Sequence, residues 1–234
     1  MKTYITTEEI ELLENAATCL RDKLLIRLLA RLGCRISEAL ALDVKSIDFI
    51  RCTVTIQHLK SRIHLACLNC NVRLAKSDIF CPKCGNKIGE ALAKEKQHCR
   101  MRMLPIDDGT LKMLRIYINK CSDTVTTDDK QLIFGFNRHR AWQIITECAK
   151  RANLPELINP ETGRVHNISP HRLRDAFAVH AVQIDDSGDG LRLLQEHLGH
   201  QSITTTMRYR KISGEEQQKW FAKLWDNRKR KRKK

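Results

Sequence analysis

The sequence predicts an α+β fold that is mainly helical and carries one small antiparallel sheet. Three observations predict it. Apolar residues recur at helical spacing through the first 45 residues and again after Ile106. Two β-branched or alternating segments stand apart from them, at 53–59 and 100–106. Between those segments lie about forty residues, far more than a hairpin turn needs, so something folded is inserted there.

The elements follow in order. Thr6 or Thr7 caps a first helix with Glu8 and Glu9 in its opening turn and Ile10, Leu13 and Ala17 on one face. A second helix over Arg21–Leu32 places Leu24, Leu25, Leu28 and Leu29 at core spacing, and Gly33 is its C-cap. A short helix runs from Cys34 through Leu42. In the strand Thr53–Leu59, Val54 and Ile56 face one side and Thr55 and Gln57 the other; Arg100–Ile106 is its hairpin partner. Helices are then expected over about Gly109–Asn119 and over Arg138–Ala152, the latter with Trp142, Ile145 and Cys148 at helical spacing. A polar loop, Asn153–Asn167, leads to a helix over Pro170–Val182 with proline in its first turn. A second loop, Asp185–Gly190, precedes a helix over Leu191–Leu198 that Gly199 ends. Ser202 caps the next helix, and a last amphipathic one from Ser213 carries Trp220, Leu224 and Trp225 on one face.

Composition narrows the function classes. The chain has 234 residues, of which 42% are hydrophobic and 29% charged, so it is neither low-complexity nor disordered by composition. No apolar run approaches a membrane span and the N-terminus has no signal-peptide core, so a soluble, cytoplasmic protein without a membrane partner is expected. The formal charge is +15, with 42 Lys+Arg against 27 Asp+Glu. Arg228–Lys234 are seven consecutive basic residues, expected to form a disordered tail; without them 35 basic residues still exceed the acidic ones by 8. That excess points to a polyanionic partner.

In a reducing compartment ten cysteines point to a metal site before a disulfide framework. Cys67-x2-Cys70 and Cys81-x2-Cys84 are two knuckles separated by ten residues. Each can wrap two thiolates onto one side of a tetrahedral zinc, and the two together make a closed four-sulfur shell. Asn71 and Gly85 follow the pairs, and both tolerate the left-handed turn of a knuckle. Neither pair is followed by His, which excludes a c-type haem. Four thiolates leave no open position, so one structural Zn2+ is expected in a ribbon spanning residues 61–99. Cys19, Cys34, Cys52, Cys121 and Cys148 fall in helical or strand patterns and are expected as small core residues.

Four segments carry residues suited to chemistry: Gly33-x-Arg35-x-Ser37-Glu38, His171-x-x-Arg174, Leu198-Gly-His200 and Tyr209, nine residues beyond His200. Singly each has a bland explanation, such as an i, i+3 pair of Arg35 with Glu38 or a tyrosine in the core. Together and in this order they resemble the catalytic set of the tyrosine recombinases, the phage-integrase and Xer-type family. The resemblance covers Thr3 to about Trp225 outside the cysteine module. It implies a catalytic domain over 1–227, interrupted by the module, and site-specific cleavage and rejoining of double-stranded DNA.

The implied chemistry suits the residue types. The Tyr209 hydroxyl attacks a phosphodiester, leaving a covalent 3′-phosphotyrosine and a free 5′-hydroxyl; the covalent intermediate conserves the bond energy, so neither ATP nor a catalytic metal is required. Arg35 and Arg174 supply charged forks to the phosphate oxygens and His200 a further donor. His171 accepts the tyrosine proton. The family takes the proton for the leaving oxygen from a hairpin lysine, which places Lys60 in that role, with Lys94 and Lys96 as alternatives at the returning strand. The resemblance also implies a homo-oligomer, dimer to tetramer, on DNA.

Two features depart from the family. The module stands where relatives have a short turn, and Arg62, Arg73, Lys76, Lys83 and Lys87 could carry it onto DNA or a neighbouring protomer. The expected N-terminal clamp domain has no counterpart in the sequence, so a partner subunit supplying it is an expectation. Two other function classes stay open: a zinc-ribbon DNA-binding regulator that grips phosphate without strand exchange, and a topoisomerase-like relaxase. Arg138, Arg140 and Lys150 are further candidate phosphate contacts.

Overall fold

The computed structural model describes residues 2–57, 62–75, 77–88, 91–96, 101–120, 126–127, 130–159, 162–212 and 221–222; for 62–64, 91–96, 126–127, 130 and 211–212 only the backbone is described. In chain order the elements are α1 (Thr7–Asn15), α2 (Leu20–Leu32), α3 (Ile36–Leu40), a 3-10 turn at Val44–Ser46, β1 (Ile47–Asp48), β2 (Thr53–Gln57), β3 (Arg62–Cys67), β4 (Arg73–Leu74), β5 (Ala91–Lys96) and β6 (Met101–Pro105). There follow α4 (Asp108–Lys120), β7 (Thr126–Thr127), β8 (Lys130–Gln131), α5 (Arg138–Arg151), β9 (Leu157–Ile158), β10 (Val165–His166), α6 (Pro170–Ile184), α7 (Gly188–Leu198) and α8 (Ile203–Ile212). The chain divides into two units, residues 1–56 with 102–234, and residues 57–101.

In the larger unit α2 is the central element. Leu24, Leu25, Ile26, Leu28, Leu29 and Leu32 are all buried, because α2 is packed by α1, α4 and α6. Lys23, Arg27 and Arg31, one turn apart, form its narrow polar stripe, and the mostly apolar remainder of its circumference is covered. The start of α1 and the end of α2 are capped as the sequence predicts. Thr6 and Glu9 form a reciprocal capping box on α1, and Gly33 ends α2 at φ 57°. Strands β1, β2 and β6 form one antiparallel sheet in that order, with Val54 and Ile56 of β2 turned into the core. A second apolar cluster gathers Ala178, Val179 and Val182 of α6 with Leu191, Leu194 and Leu198 of α7 and Tyr209 of α8.

Several expectations are corrected. The segment Asp185–Gly190 is not all loop: Ser187 caps α7 through the Gly190 N–H, and the helix opens at Gly188 despite two glycines in its first turn. The polar loop after α5 holds the two-residue hairpin β9–β10, too short to give an alternation signal. Trp142 does not join Ile145 and Cys148 in the core; it is exposed and stacks on His139 one turn earlier. Cys34 and Cys148 are buried as expected and Cys52 is half-buried. Cys19 is exposed, because it is the N-cap residue of α2 and not part of its apolar face. Cys121, most of the expected last helix and the basic tail lie outside the described residues.

The smaller unit contains a three-stranded antiparallel sheet in the order β4-β3-β5, with Arg62 opposite Lys96 and Cys67 opposite Ala91. An isolated bridge joins Phe80 to Lys87. Cys67, Leu74 and Cys81 are buried, with Leu65, Val72 and Ile88 packed around them.

Candidate functional site

Arg35, His171 and His200 stand at helix ends, and Arg174 is tied to two of them. Arg35 occupies the N-cap position of α3, and Glu38 reaches back so that its Oε2 accepts from the Arg35 N–H at 2.8 Å while its Oε1 accepts from Arg35 Nη1 at 2.9 Å. The i, i+3 pair is therefore real, and it holds the guanidinium at the helix start with about a third of its side chain exposed. Arg102 of β6 grips the same carboxylate, Nη2 to Oε2 at 2.7 Å. Glu38 is 2% exposed. Burial alone would raise its pKa, but the Arg35 N–H and the Arg102 guanidinium hold it below the usual range.

Arg174, one turn into α6, is 3% exposed and joins two helix ends. Nη1 donates to the Gly33 carbonyl at 2.6 Å, after α2, and Nη2 to the Leu198 carbonyl at 2.8 Å, at the end of α7. Its Nη2 also lies 3.1 Å from His200 Nε2. Burial and the neighbouring Arg35 charge lower its pKa. The approach leaves no room for a side chain at residue 33: a Cβ on Gly33 would lie 2.5 Å from Phe177 Cδ1.

The tautomer of His200 follows from those contacts. A guanidinium has no acceptor, so Nε2 takes the Arg174 hydrogen on its lone pair and the ring proton sits on Nδ1, which donates to Thr206 Oγ1 at 2.9 Å. Burial, followed by the positive charge of Arg174, pushes the His200 pKa down to about 4. The ring is neutral at pH 7 and both nitrogens are engaged. In this arrangement His200 is the acceptor of Arg174.

Tyr209 is 7% exposed, and its ring stacks on His200 with centroids 6.2 Å apart. Its hydroxyl donates to Asp175 Oδ1 at 3.1 Å. Burial and then the Asp175 charge raise its pKa above the ordinary tyrosine value. Asp175 Oδ2 accepts from Arg172 Nη1 at 3.0 Å, and His171 Nε2 stands 3.8 Å from Oδ1. The His171 side chain is 72% exposed. One turn of α6 thus presents an outward histidine, a buried arginine and a carboxylate that touches the tyrosine.

Arg35, Arg174, His200 and Tyr209, from four separated segments, are brought together, and His171 approaches through Asp175. Lys60 lies outside the described residues; Lys94 and Lys96 are on β5, whose backbone pairs with β3 at His64 and Arg62. Sequence reasoning missed Asp175 and Arg102. Asp175 follows Arg174 directly and gives no periodic signal, and Arg102 reads as an outward position of an alternating strand.

In the smaller unit the four cysteine sulfurs of Cys67, Cys70, Cys81 and Cys84 lie within 4.8 Å of one another. Cys67–Cys84 and Cys70–Cys81 separations are 3.7 and 3.4 Å. Sulfurs about 3.8 Å apart are what a tetrahedral shell with bonds of about 2.3 Å requires. The two knuckles repeat each other: the Asn71 N–H donates to the Cys67 carbonyl and the Gly85 N–H to that of Cys81, at φ 56° and 72°. The N–H groups of Cys84 and Lys83 lower the pKa of the Cys81 thiol, while, against the Asn86 N–H, the hydrogen bond with Cys81 raises that of its coupled neighbour Cys84. Of the module's basic residues, Arg73, Lys83 and Lys87 are exposed, Lys76 lies outside the described residues, and for Arg62 only the backbone is described. Arg138, Arg140 and Lys150 on α5 are exposed.

Residues 3–216 match the model of the phage integrase family. The chain belongs to that family. The curated relatives include the tyrosine recombinase XerC of Roseiflexus sp. (strain RS-1), 29% identical over 203 residues, which cover 83% of this chain and 48% of the relative. The chain thus spans about half the length of the curated relatives it matches. Among solved structures, the XerA recombinase superposes with a TM-score of 0.65 at 18% identity, over 97% of this chain and 66% of the other. The integrase of transposon Tn1549, in complex with a circular intermediate DNA, gives 0.59 at 16% identity over 89% and 61%. These superpositions share the integrase-family catalytic fold, mostly helical with small antiparallel sheets.

Proposed function

We propose that this member of the phage integrase family is a site-specific DNA strand transferase that cleaves and rejoins double-stranded DNA through a 3′-phosphotyrosine on Tyr209. The observation that carries this reading is the convergence of Tyr209, Arg174, His200 and Arg35 from four segments onto one place. In the proposed step the Tyr209 oxygen forms a bond to phosphorus, the bond to the 5′-oxygen breaks, and that oxygen leaves with a proton from a lysine. Lys60 is our choice for that acid, with Lys94 and Lys96 as alternatives. Arg35, held open to solvent by Glu38, and Arg174 offset the charge that gathers on the non-bridging oxygens. His200 fixes the Arg174 fork, and His171 removes the tyrosine proton.

The DNA complex of the Tn1549 integrase supports DNA as the partner, which this proposal takes to be double-stranded, and family likeness supports assembly of two to four copies on it. A partner subunit completing the grip on DNA belongs to the same proposal. The four cysteines fit one structural zinc, which would hold the knuckles of the smaller unit and take no part in the reaction. The exposed Arg73, Lys83 and Lys87 of that unit are proposed as contacts to DNA or to a neighbouring protomer.

The test is a nicked suicide substrate that traps the covalent adduct. Wild-type protein is expected to form a protein–DNA adduct stable to denaturation, and Tyr209→Phe none. Binding without any adduct would leave a DNA-binding regulator; relaxation of supercoiled plasmids lacking a dedicated site would indicate a relaxase. Alanine variants of Lys60, Lys94 and Lys96 on a 5′-thio leaving group identify the acid, because only the true acid is rescued.

A further inference from the structure

We propose that Asp175 is a catalytic residue, the immediate proton acceptor for the Tyr209 hydroxyl, and that it passes the proton on to His171. The inference rests on the strand-transferase reading above and names a group that reading lacks.

The geometry assigns the role. Tyr209 has one polar atom, and in this buried place its hydroxyl donates to Asp175 Oδ1 at 3.1 Å. Asp175 is itself 9% exposed, and Arg172 Nη1 fixes its other oxygen at 3.0 Å. Oδ1 is therefore the atom turned toward both the tyrosine and His171 Nε2, at 3.8 Å. The His171 side chain is 72% exposed and faces Asp175 Oδ1. Asp175 sits between the two, on the same face of α6 one turn from His171.

Electrostatics explains why an acceptor in contact is needed. A free phenolate would stand beside a carboxylate with little water to screen them, and burial and Asp175 accordingly hold Tyr209 in its protonated form. Ionisation ahead of attack is disfavoured, so the proton must leave as the oxygen–phosphorus bond forms. In the balanced step the O–H electrons stay on the Tyr209 oxygen, a lone pair of that oxygen bonds to phosphorus, and the proton goes to Asp175 Oδ1. His171 then takes it on Nε2, restoring the carboxylate, and its solvent-exposed ring passes it to water. The return reaction runs the same path backward and reprotonates the tyrosine.

The experiment measures adduct formation on the suicide substrate by full-length protein and by Asp175→Asn, with DNA affinity as a check on folding. Loss of the acceptor is expected to slow the adduct by on the order of 10²–10⁴. Replacing Tyr209 by difluorotyrosine, whose phenol ionises far more readily, is expected to recover most of that loss in Asp175→Asn and to change the parent little. Asp175→Glu keeps the carboxylate and guards against a fold defect; it is expected to retain more activity than the Asn variant. A rate for Asp175→Asn within about threefold of the parent, or faster, overturns the assignment. So does a loss shared equally by the Asn and Glu variants and not recovered by difluorotyrosine. Absence of any adduct from the wild-type protein has a different meaning: it overturns the strand-transferase reading, and the role of Asp175 with it.

Discussion

His200 shows how a site residue can hold another in place. Its low pKa, about 4 against an ordinary 6.5, arises from burial and from the Arg174 charge. Between those two values the unfolded chain binds a proton at this position that the native chain refuses. The resulting stability is fully present above pH 6.5 and is lost as pH falls through about 4. His197, half-buried with Nε2 against the Leu32 carbonyl, shifts in the same direction. Thermal melts from pH 7 to pH 4 should show falling stability, and His200→Asn should flatten that slope; an unchanged slope would mean that His200 titrates normally. At this scale the sequence was informative for residues that recur in a motif. Arg35, Arg174, His200 and Tyr209 are legible because each stands at a fixed offset from a glycine, histidine or helix end. Asp175 was not legible, since its part depends on a side chain 34 positions away.

Among the elements, the cysteine knuckles carry the sharpest prediction. Each is a tight turn with little apolar support: among the described side chains of that unit only Ala66, Cys67, Leu74 and Cys81 are buried. A unit so small needs a staple. Native mass spectrometry should find one zinc per chain, and a chelator should remove hydrogen-exchange protection from residues 65–88 while α2 and α6 keep theirs. Folded, protected knuckles without metal would refute the zinc. The elements were legible where periodicity is long. Helices α2, α4, α5 and α6 fall within two residues of the predicted bounds, because each shows several turns of pattern. Strands β1, β9 and β10 have two residues each and no period to read, and the start of α7 was hidden by Gly188 and Gly190, whose low helix propensity is outweighed by the Ser187 cap.

For the whole molecule, the net charge of +15 separates into a seven-residue basic run and a remainder of +8. Deleting Arg228–Lys234 should weaken non-specific DNA binding and reduce the salt slope by up to about 6, the value if every charge releases a counterion. Adduct formation at saturating DNA should persist; its loss would place the run inside the catalytic assembly. The carbonyl ends of α2 and α7 both meet at Arg174, where the partial negative charges of two helix dipoles converge on one guanidinium. The consequence is practical. Without Arg174 two buried carbonyls lose their donor, each at about 1–3 kcal/mol, so a silent Arg174 variant cannot separate a broken scaffold from missing chemistry. An inactive reference protein for capturing assembled complexes is better made at Tyr209, where loss of one hydroxyl leaves those two helix ends tied.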